Sequence, residues 1–289
     1  MLKIALPNKG RLVEDIRDVL RDAGLKVRAG NERALVASMG DEFSALFVRA
    51  QDIPEFVADG AADAGITGWD CVGESGRELD SLVDLKIGRC RLVVALHPRP
   101  GGPSTLDEIP DGARVATSFP RLAERFFRER QRTVQLVPVS GAAEVAPHLG
   151  IADAIVDLVS TGSTLRVNGL LEAGTVLESS ARLIARPRAE LSEEVAAALD
   201  DLALALSSVV RAREQRYLMA NVPRDRLDSV RDVLPGISGP TIIEVRGGNA
   251  DFVAVHAVVP ENQVYRIVSR LKGLGCQGIL VTRIERLVP

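Results

Sequence analysis

Through residue 185 the chain alternates short, apolar, β-branched runs with stretches whose apolar residues recur at helical spacing. That pattern predicts strands and helices in turn. Strands are expected at 3–6, 35–38, 45–48 and 64–67. Helices are expected at 11–23, where Leu12, Ile16, Val19 and Leu20 share a face, and at 53–59, where Asp52 can cap and Pro54 suits the first turn. Gly68-Trp69-Asp70 opens a third helix. A fresh unit begins near Leu92, with strands at 92–96, 114–116, 134–138 and 153–159, a Pro/Gly linker at 97–104, and helices at 121–130, 143–149 and 164–171. A strand at 181–185 and a long Ala/Leu-rich helix at 190–210 follow. This βαβ alternation predicts an α/β protein with mostly parallel sheets. From residue 211 the order changes. Strands at 217–222, 241–245, 254–259 and 278–281, with helices at 224–233 and 260–274, give βαββαβ, the ferredoxin-like order.

Composition narrows the class. The chain has 289 residues, 46% hydrophobic and 26% charged, enough for two or three domains with a real core. Net charge is −3 and aromatics are 3%, so a nucleic-acid surface built on base stacking and a basic patch is disfavoured. No run reaches the roughly 18 apolar residues of a membrane span. The N-terminus reads as a short strand entering a polar loop, not as a signal peptide. Cys71, Cys90 and Cys276 are far apart and read as reduced thiols of a cytoplasmic protein; the three histidines are equally scattered, with no CxxC or HExxH spacing for zinc.

Four strand-to-helix turns carry ligand-type residues, and ligands of open α/β sheets bind at the carboxyl ends of strands. The richest turn follows an apolar run bearing Asp153 and Asp157, then Ser160, Thr161, Gly162, Ser163 and Thr164. Hydroxyls, backbone N–H groups and a helix start converging on one spot make a phosphate cradle. Carboxylates beside it accept hydrogen bonds from sugar hydroxyls, so a phosphorylated ribose is the expected ligand. An ordinary helix cap is the plainer reading of the loop, and an exposed strand end is the plainer reading of Asp157.

The other turns stay open in the same way. Pro7-Asn8-Lys9-Gly10-Arg11 suits a nucleotide or pyrophosphate, or is a solvated basic turn; neither GxxxxGK[ST] nor GxGxxG is present. Gly65-Ile66-Thr67-Gly68-Trp69-Asp70 suits a small anion or is a tight turn with a helix-start acid. Arg49 suits phosphate or a surface ion pair. Glu144 is a base or a helix-start acid. The stretch 235–241 is a rigid turn for a small ligand or another subunit.

Together these segments resemble ATP phosphoribosyltransferase in its long form, over essentially the whole chain. The most specific match runs from Glu144-Val145-Ala146-Pro147 through Gly150 to Leu165; Pro7-Asn8-Lys9-Gly10-Arg11-Leu12, Gly65-Ile66-Thr67-Gly68-Trp69-Asp70 and Ala116-Thr117-Ser118-Phe119-Pro120 support it. The resemblance implies a two-lobed, periplasmic-binding-protein-like catalytic part: lobe I from 1–92 and 181–210, lobe II from 93–180, and a ferredoxin-like regulatory domain at 211–289. It implies condensation of ATP with phosphoribosyl pyrophosphate to N1-(5-phosphoribosyl)-ATP and pyrophosphate, the first step of histidine biosynthesis, with Mg²⁺ held mainly by substrate phosphates. By that resemblance, phosphoribosyl pyrophosphate falls on Asp153, Asp157, Glu144 and Ser160 to Thr164. ATP falls on Lys9, Arg11, Arg49, Asp70, Ser118 and Phe119, where the family often has tyrosine at the last position. Inhibitory histidine falls on Asn221, Ile237, Gly239, Thr241 and Gly278, a region where the chain departs more from the family pattern. A homo-oligomer, dimer to hexamer, is implied. The rival classes are a two-lobed binding or sensor protein without catalysis and a catalytically silent subunit; neither a signal peptide nor a helix-turn-helix supports the first.

Overall fold

The computed structural model describes residues 1–28, 35–98, 102–234, 236–237, 239–244 and 251–288. Of the expected features, residues 99–101 of the linker, Pro235 and Ser238 of the rigid turn, and Val245 lie outside the described residues. The chain runs β1 (Leu2–Pro7), α1 (Leu12–Asp22), β2 (Val27–Arg28), β3 (Val36–Met39), β4 (Phe43–Val48), α2 (Ile53–Ala58), β5 (Ala64–Gly68), α3 (Trp69–Ser75) and β6 (Asp80–Asp84). It continues as β7 (Cys90–Leu96), β8 (Ala113–Thr117), α4 (Pro120–Glu129), β9 (Val134–Pro138), β10 (Ala154–Val159), α5 (Ser163–Val167), β11 (Leu171–Ser179), β12 (Ala181–Ala185) and α6 (Glu193–Arg213). The last part is β13 (Gln215–Pro223), α7 (Leu227–Arg231), β14 (Thr241–Glu244), β15 (Phe252–Pro260), α8 (Val264–Gly273) and β16 (Gln277–Arg283). Two compact units result, Met1–Ala203 and Leu204–Pro289.

The first unit holds two sheets, one per lobe. The seven-stranded sheet has the order β2-β3-β4-β1-β5-β12-β6. Only β4, β1 and β5 form the parallel ladder that βαβ alternation predicts; β12 pairs antiparallel to β5, and β6 antiparallel to β12. The expectation of a mostly parallel sheet fails there because β2, β3 and β4 meander as antiparallel neighbours at one edge, and β12 enters from the other lobe without a helical crossover at the other. Every residue of β5 is buried, since it is central and covered on both faces. α1 turns Ile16, Val19 and Leu20 inward, each burial contributing about 1.5–3 kcal/mol.

The five-stranded sheet has the order β11-β7-β10-β8-β9. Its apolar run Leu92 to Leu96 feeds both faces: Leu92, Val94 and Leu96 pack with Leu122, Phe126 and Phe127 of α4, while Val93 and Ala95 pack with Ile155 and Leu165. Two crossings join the lobes, one between β6 and β7 and one at Ser180 between β11 and β12. They are bonded to each other, Leu85 N–H to the Ala181 carbonyl and Ala181 N–H to the Ile87 carbonyl, each at 3.0 Å.

Three local expectations need correction. The stretch 143–149 is not a helix but a single 3-10 turn, Ala143–Val145, because Pro147 lacks the N–H that an α-helix would need there. The helix expected at 164–171 ends at Val167, and Leu171 already belongs to β11. Asp52 makes no side-chain cap bond to α2; it sits in a preceding 3-10 turn. β2, β6 and β11 have no counterpart in the sequence reading. β11 carries two register shifts and no clean alternation of burial, so its period-2 signal is lost.

The second unit is a four-stranded antiparallel sheet, β14-β15-β13-β16. One face packs Leu218, Ala220, Val222, Val253, Val255 and Val259 against Val230, Ile267 and Leu271 of α7 and α8. This is the ferredoxin-like order read from the sequence. No helix among the described residues is long and apolar enough to cross a membrane.

Candidate functional site

β10 ends at Val159, and the chain turns through Ser160, Thr161 and Gly162 into α5. Gly162 makes the turn with φ of 73°, a left-handed conformation that β-carbon residues adopt at a cost, and a Cβ there would lie 3.3 Å from the Arg166 guanidinium. The loop is knitted internally: the Thr161 and Ser163 hydroxyls are 3.0 Å apart, and Arg166 donates to the Thr161 carbonyl at 3.3 Å. α5 has five residues, too short for a strong dipole, so any anion here would be met by its first-turn N–H groups and the loop hydroxyls.

This loop walls a cavity of about 420 Å³, lined also by Arg11, Ala142, Glu144 and Asp157. Arg11 reaches in from the other lobe and donates to the Ser160 hydroxyl at 2.6 Å. Asp157 accepts from the Leu158 N–H at 2.8 Å. Burial pushes the Asp157 carboxyl above the usual carboxylate range; the Leu158 bond opposes this and the neighbouring Glu144 carboxylate adds to it. Two carboxylates, one cation and a loop of donors thus share one polar cavity. Of the residues expected together, Asp157, Glu144 and Ser160 to Thr164 line one cavity, and Arg11, expected with the ATP residues, joins them there. Ala142 was not foreseen; it holds φ of 53° beside Gly141 and sets the turn that presents Glu144.

Other expected residues fall elsewhere. Asp153 precedes β10 at the end opposite the loop, where it accepts from the Arg114 N–H at 3.0 Å and pairs with its guanidinium. At about 3.3 Å per residue it stands ~13 Å along the strand from Asp157. It is therefore a strand-end anchor and not a cavity carboxylate. Asp70 is buried, and Ser179 spans to it across the crossing: the Ser179 hydroxyl accepts from the Asp70 N–H at 3.0 Å and donates to the Asp70 carboxylate at 2.5 Å. Gly68 permits this, since a Cβ there would lie 2.4 Å from the Asp70 oxygen. Asp70 thus ties the crossing, and it does not line the loop cavity. Ser118 and Phe119 line a different cavity, of about 480 Å³, with Asp52, Glu55 and Glu74, and the Ser118 hydroxyl is given to the Val139 carbonyl. Lys9 and Arg49 are exposed, following β1 and β4, which are neighbouring parallel strands in register from Leu2 to Pro7.

A further cavity, also of about 420 Å³, sits at the crossings and shares Ser160 with the loop cavity; Asp84, Arg89, Arg91 and Arg182 line it. No sequence motif marks these arginines, and only the fold collects them. In the second unit, Asn221 and Gly278 are adjacent, a Gly278 Cβ lying 3.1 Å from the Asn221 amide. Thr241 is on β14, two strands from β13, about 10 Å away. Ile237 and Gly239 are exposed.

Two sheets in one unit, a hydroxyl- and glycine-rich loop walling a polar cavity, and a ferredoxin-like unit after them fit a two-lobed phosphoribosyltransferase. The family described as HisG, ATP phosphoribosyltransferase, matches residues 49–208, and the HisG C-terminal domain matches residues 212–286. The chain belongs to the ATP phosphoribosyltransferase family, in its long form. It is 61% identical to an ATP phosphoribosyltransferase of Gemmatimonas aurantiaca and 50% identical to one of Natronomonas pharaonis, each over all of both chains. Among solved structures it is similar to the ATP phosphoribosyl transferase (HisG:HisZ) complex from Thermotoga maritima, with a TM-score of 0.61 and 27% identity over 72% of this chain and 99% of that one.

Proposed function

We propose that the loop cavity holds phosphoribosyl pyrophosphate for the transfer to ATP that defines the family. The observation that carries this is the convergence of Asp157, Glu144, Arg11 and the loop 160–164 in one cavity. The loop donors take the 5′-phosphate, and Asp157 and Glu144 accept from the ribose hydroxyls. Adenine N1 then forms a bond to ribose C1 as the C1–O bond to pyrophosphate breaks, the bonding electrons leaving with pyrophosphate. Positive charge builds on the ribose in the transition state, and carboxylates fixed beside it favour that charge more than they favour the neutral ground state. Glu144 is placed to hold a hydroxyl or to accept a proton. Arg11 counters the phosphate charge, with Lys9 and Arg49 at the neighbouring strand ends meeting ATP.

The family uses a metal ion, and we assign Mg²⁺. The donor set fits: magnesium in such sites takes one or two carboxylates and otherwise phosphate oxygens and water, and Asp157 and Glu144 are the carboxylates at hand. When bound, the ion neutralises diphosphate charge. The first unit divides into lobe I (1–92 and 181–210) and lobe II (93–180), with 211–289 as a regulatory domain in which histidine meets Asn221 and Gly278, with Ile237, Gly239 and Thr241 around them. A cytoplasmic homo-oligomer, dimer to hexamer, is the assembly this reading carries.

The test is to incubate purified protein with ATP, phosphoribosyl pyrophosphate and Mg²⁺ and follow N1-(5-phosphoribosyl)-ATP by absorbance, with and without histidine. Product formation suppressed by histidine is expected. No product would favour a binding or silent subunit; product indifferent to histidine would remove only the regulatory part.

A further inference from the structure

The cavity at the crossings has an electrostatic imbalance that the loop cavity does not explain. Three guanidinium groups line it, and they are not equally satisfied. Arg91 is spent: both its terminal nitrogens donate to the Glu172 carboxylate. Arg182 is held flat, its guanidinium 4.3 Å from the centre of the Trp69 ring, with one long contact of 3.5 Å to the Ser81 hydroxyl. Its Nε is buried with no hydrogen-bond partner. Arg89 is exposed, and its guanidinium has no hydrogen-bond partner among the described residues. Two carboxylates share the lining: Glu178 lies opposite Arg91 across the β7–β11 ladder and acts on that arginine, and Asp84 does not spend the other two arginines. Asp84 accepts from the Ser180 hydroxyl at 2.7 Å and the Lys86 N–H at 2.8 Å. Burial raises its proton affinity, but those bonds, with Arg182 and Arg89 close by, outweigh burial and hold its carboxyl below the usual range. Asp84 thus stays ionised and steers the two arginines without saturating them.

The position matters as much as the charge. Ser160 lies on the wall of both cavities, and Arg11 holds its hydroxyl. A ligand anchored by its phosphate in the loop cavity would have the arginine-lined cavity as its direct neighbour. Guanidinium groups bind phosphate oxygens in bidentate geometry and stay charged at every working pH. We infer that Arg89 and Arg182 form a second anion subsite, which takes a di- or triphosphate chain while the loop holds a ribose 5-phosphate. The inference rests on the functional reading above. Two sources supply such a chain: the triphosphate of ATP, or the diphosphate of phosphoribosyl pyrophosphate that leaves as pyrophosphate.

The experiment uses the full chain carrying Arg89→Gln, Arg182→Gln or both. Inorganic pyrophosphate is titrated calorimetrically, and KM for ATP and for phosphoribosyl pyrophosphate is measured beside inhibition by ribose 5-phosphate. In the double variant, pyrophosphate affinity should fall about tenfold or more, while ribose 5-phosphate inhibition stays within about twofold. A matching rise in the ATP KM alone assigns the subsite to ATP; a rise in the phosphoribosyl pyrophosphate KM alone assigns it to the leaving diphosphate. Arg89 is exposed, so Arg89→Gln carries the test if Arg182→Gln fails to fold. Unchanged pyrophosphate affinity overturns the inference, and so does a loss of ribose 5-phosphate inhibition in step with it. Wild-type protein that binds pyrophosphate but forms no product would instead overturn the functional reading.

Discussion

Asp157 shows at the scale of one residue what the site costs. An ionised carboxylate in a half-buried place, with a second carboxylate beside it, is less stable than in water. Its folded pKa lies above its unfolded value of roughly 3.9. Its contribution to folding is therefore fully favourable only below that value and is lost as pH rises through the folded pKa. At neutral pH the fold carries Asp157 as a burden. Asp157→Asn should then unfold at the same temperature as wild type or higher, while kcat/KM falls by about a hundredfold or more. A calorimetric scan beside a turnover assay checks both halves. The acid limb of kcat/KM for phosphoribosyl pyrophosphate should lie above the usual carboxylate range, because Asp157 must be ionised to accept ribose hydroxyls. Glu144→Gln removes a neighbouring negative charge and should move that limb to lower pH; a limb that stays put or moves up would separate the two carboxylates. Cys71 offers a contrasting case. Burial, with the Asp70 charge beside it, pushes its thiol up to about 12, so thiolate is negligible at pH 7.5. Iodoacetamide should leave Cys71 unmodified in the native protein, as peptide mass mapping would show.

At the scale of elements, the loop 160–164 and the crossings do different work. The loop needs one left-handed residue. Gly162→Ala should cost about 1–2 kcal/mol locally and raise KM for phosphoribosyl pyrophosphate with kcat less affected; steady-state kinetics at saturating ATP would read this. The crossings depend on the Ser179–Asp70 tie, which is buried. Its elements also show what a sequence does and does not make legible. The loop, Asp157 and Arg11 were legible because each lies at or just past the carboxyl end of a strand whose apolar run is plain, and because hydroxyl- and glycine-rich turns have a local signature; Glu144 lies farther on, in the 3-10 turn Ala143–Val145. The place of Asp153 was not legible because residues four apart on a strand share a face yet stand far apart along it, so periodicity marks the face and not the end. The tie made by Asp70 was not legible because its partner, Ser179, is 109 residues away and on the other side of a crossing. Arg89 and Arg182 had no signature at all, since only the antiparallel return of β12 brings them together. β11 was missed because its bulges erase alternation, and 143–149 was overread as helix because its apolar spacing hid a proline.

At the scale of the molecule, the first unit works as two sheets tied at two crossings, with a cation from one lobe reaching the loop of the other. That arrangement lets a ligand in the cleft be gripped from both sides and shielded from water, which strengthens every charge interaction there. The ferredoxin-like unit was legible from the order βαββαβ, helped by the two central strands β13 and β15, which alternate over one core. The residues expected to meet histidine were less so. Asn221 and Gly278 are neighbours only because β13 and β16 pair. If histidine binds there, Asn221→Ala should leave turnover without histidine unchanged and raise the histidine concentration for half-inhibition about tenfold. Equal inhibition in the variant and the wild type would place the effector elsewhere.

The central claim is that the cavity of Asp157, Glu144, Arg11 and the loop 160–164 carries phosphoribosyl transfer to ATP. Its most direct test is the initial rate of N1-(5-phosphoribosyl)-ATP formation by wild type and by Asp157→Asn, with both substrates saturating and both proteins shown to be folded. The account predicts steady product from the wild type and a loss of about a hundredfold or more in the variant. Equal rates in the two proteins would contradict it.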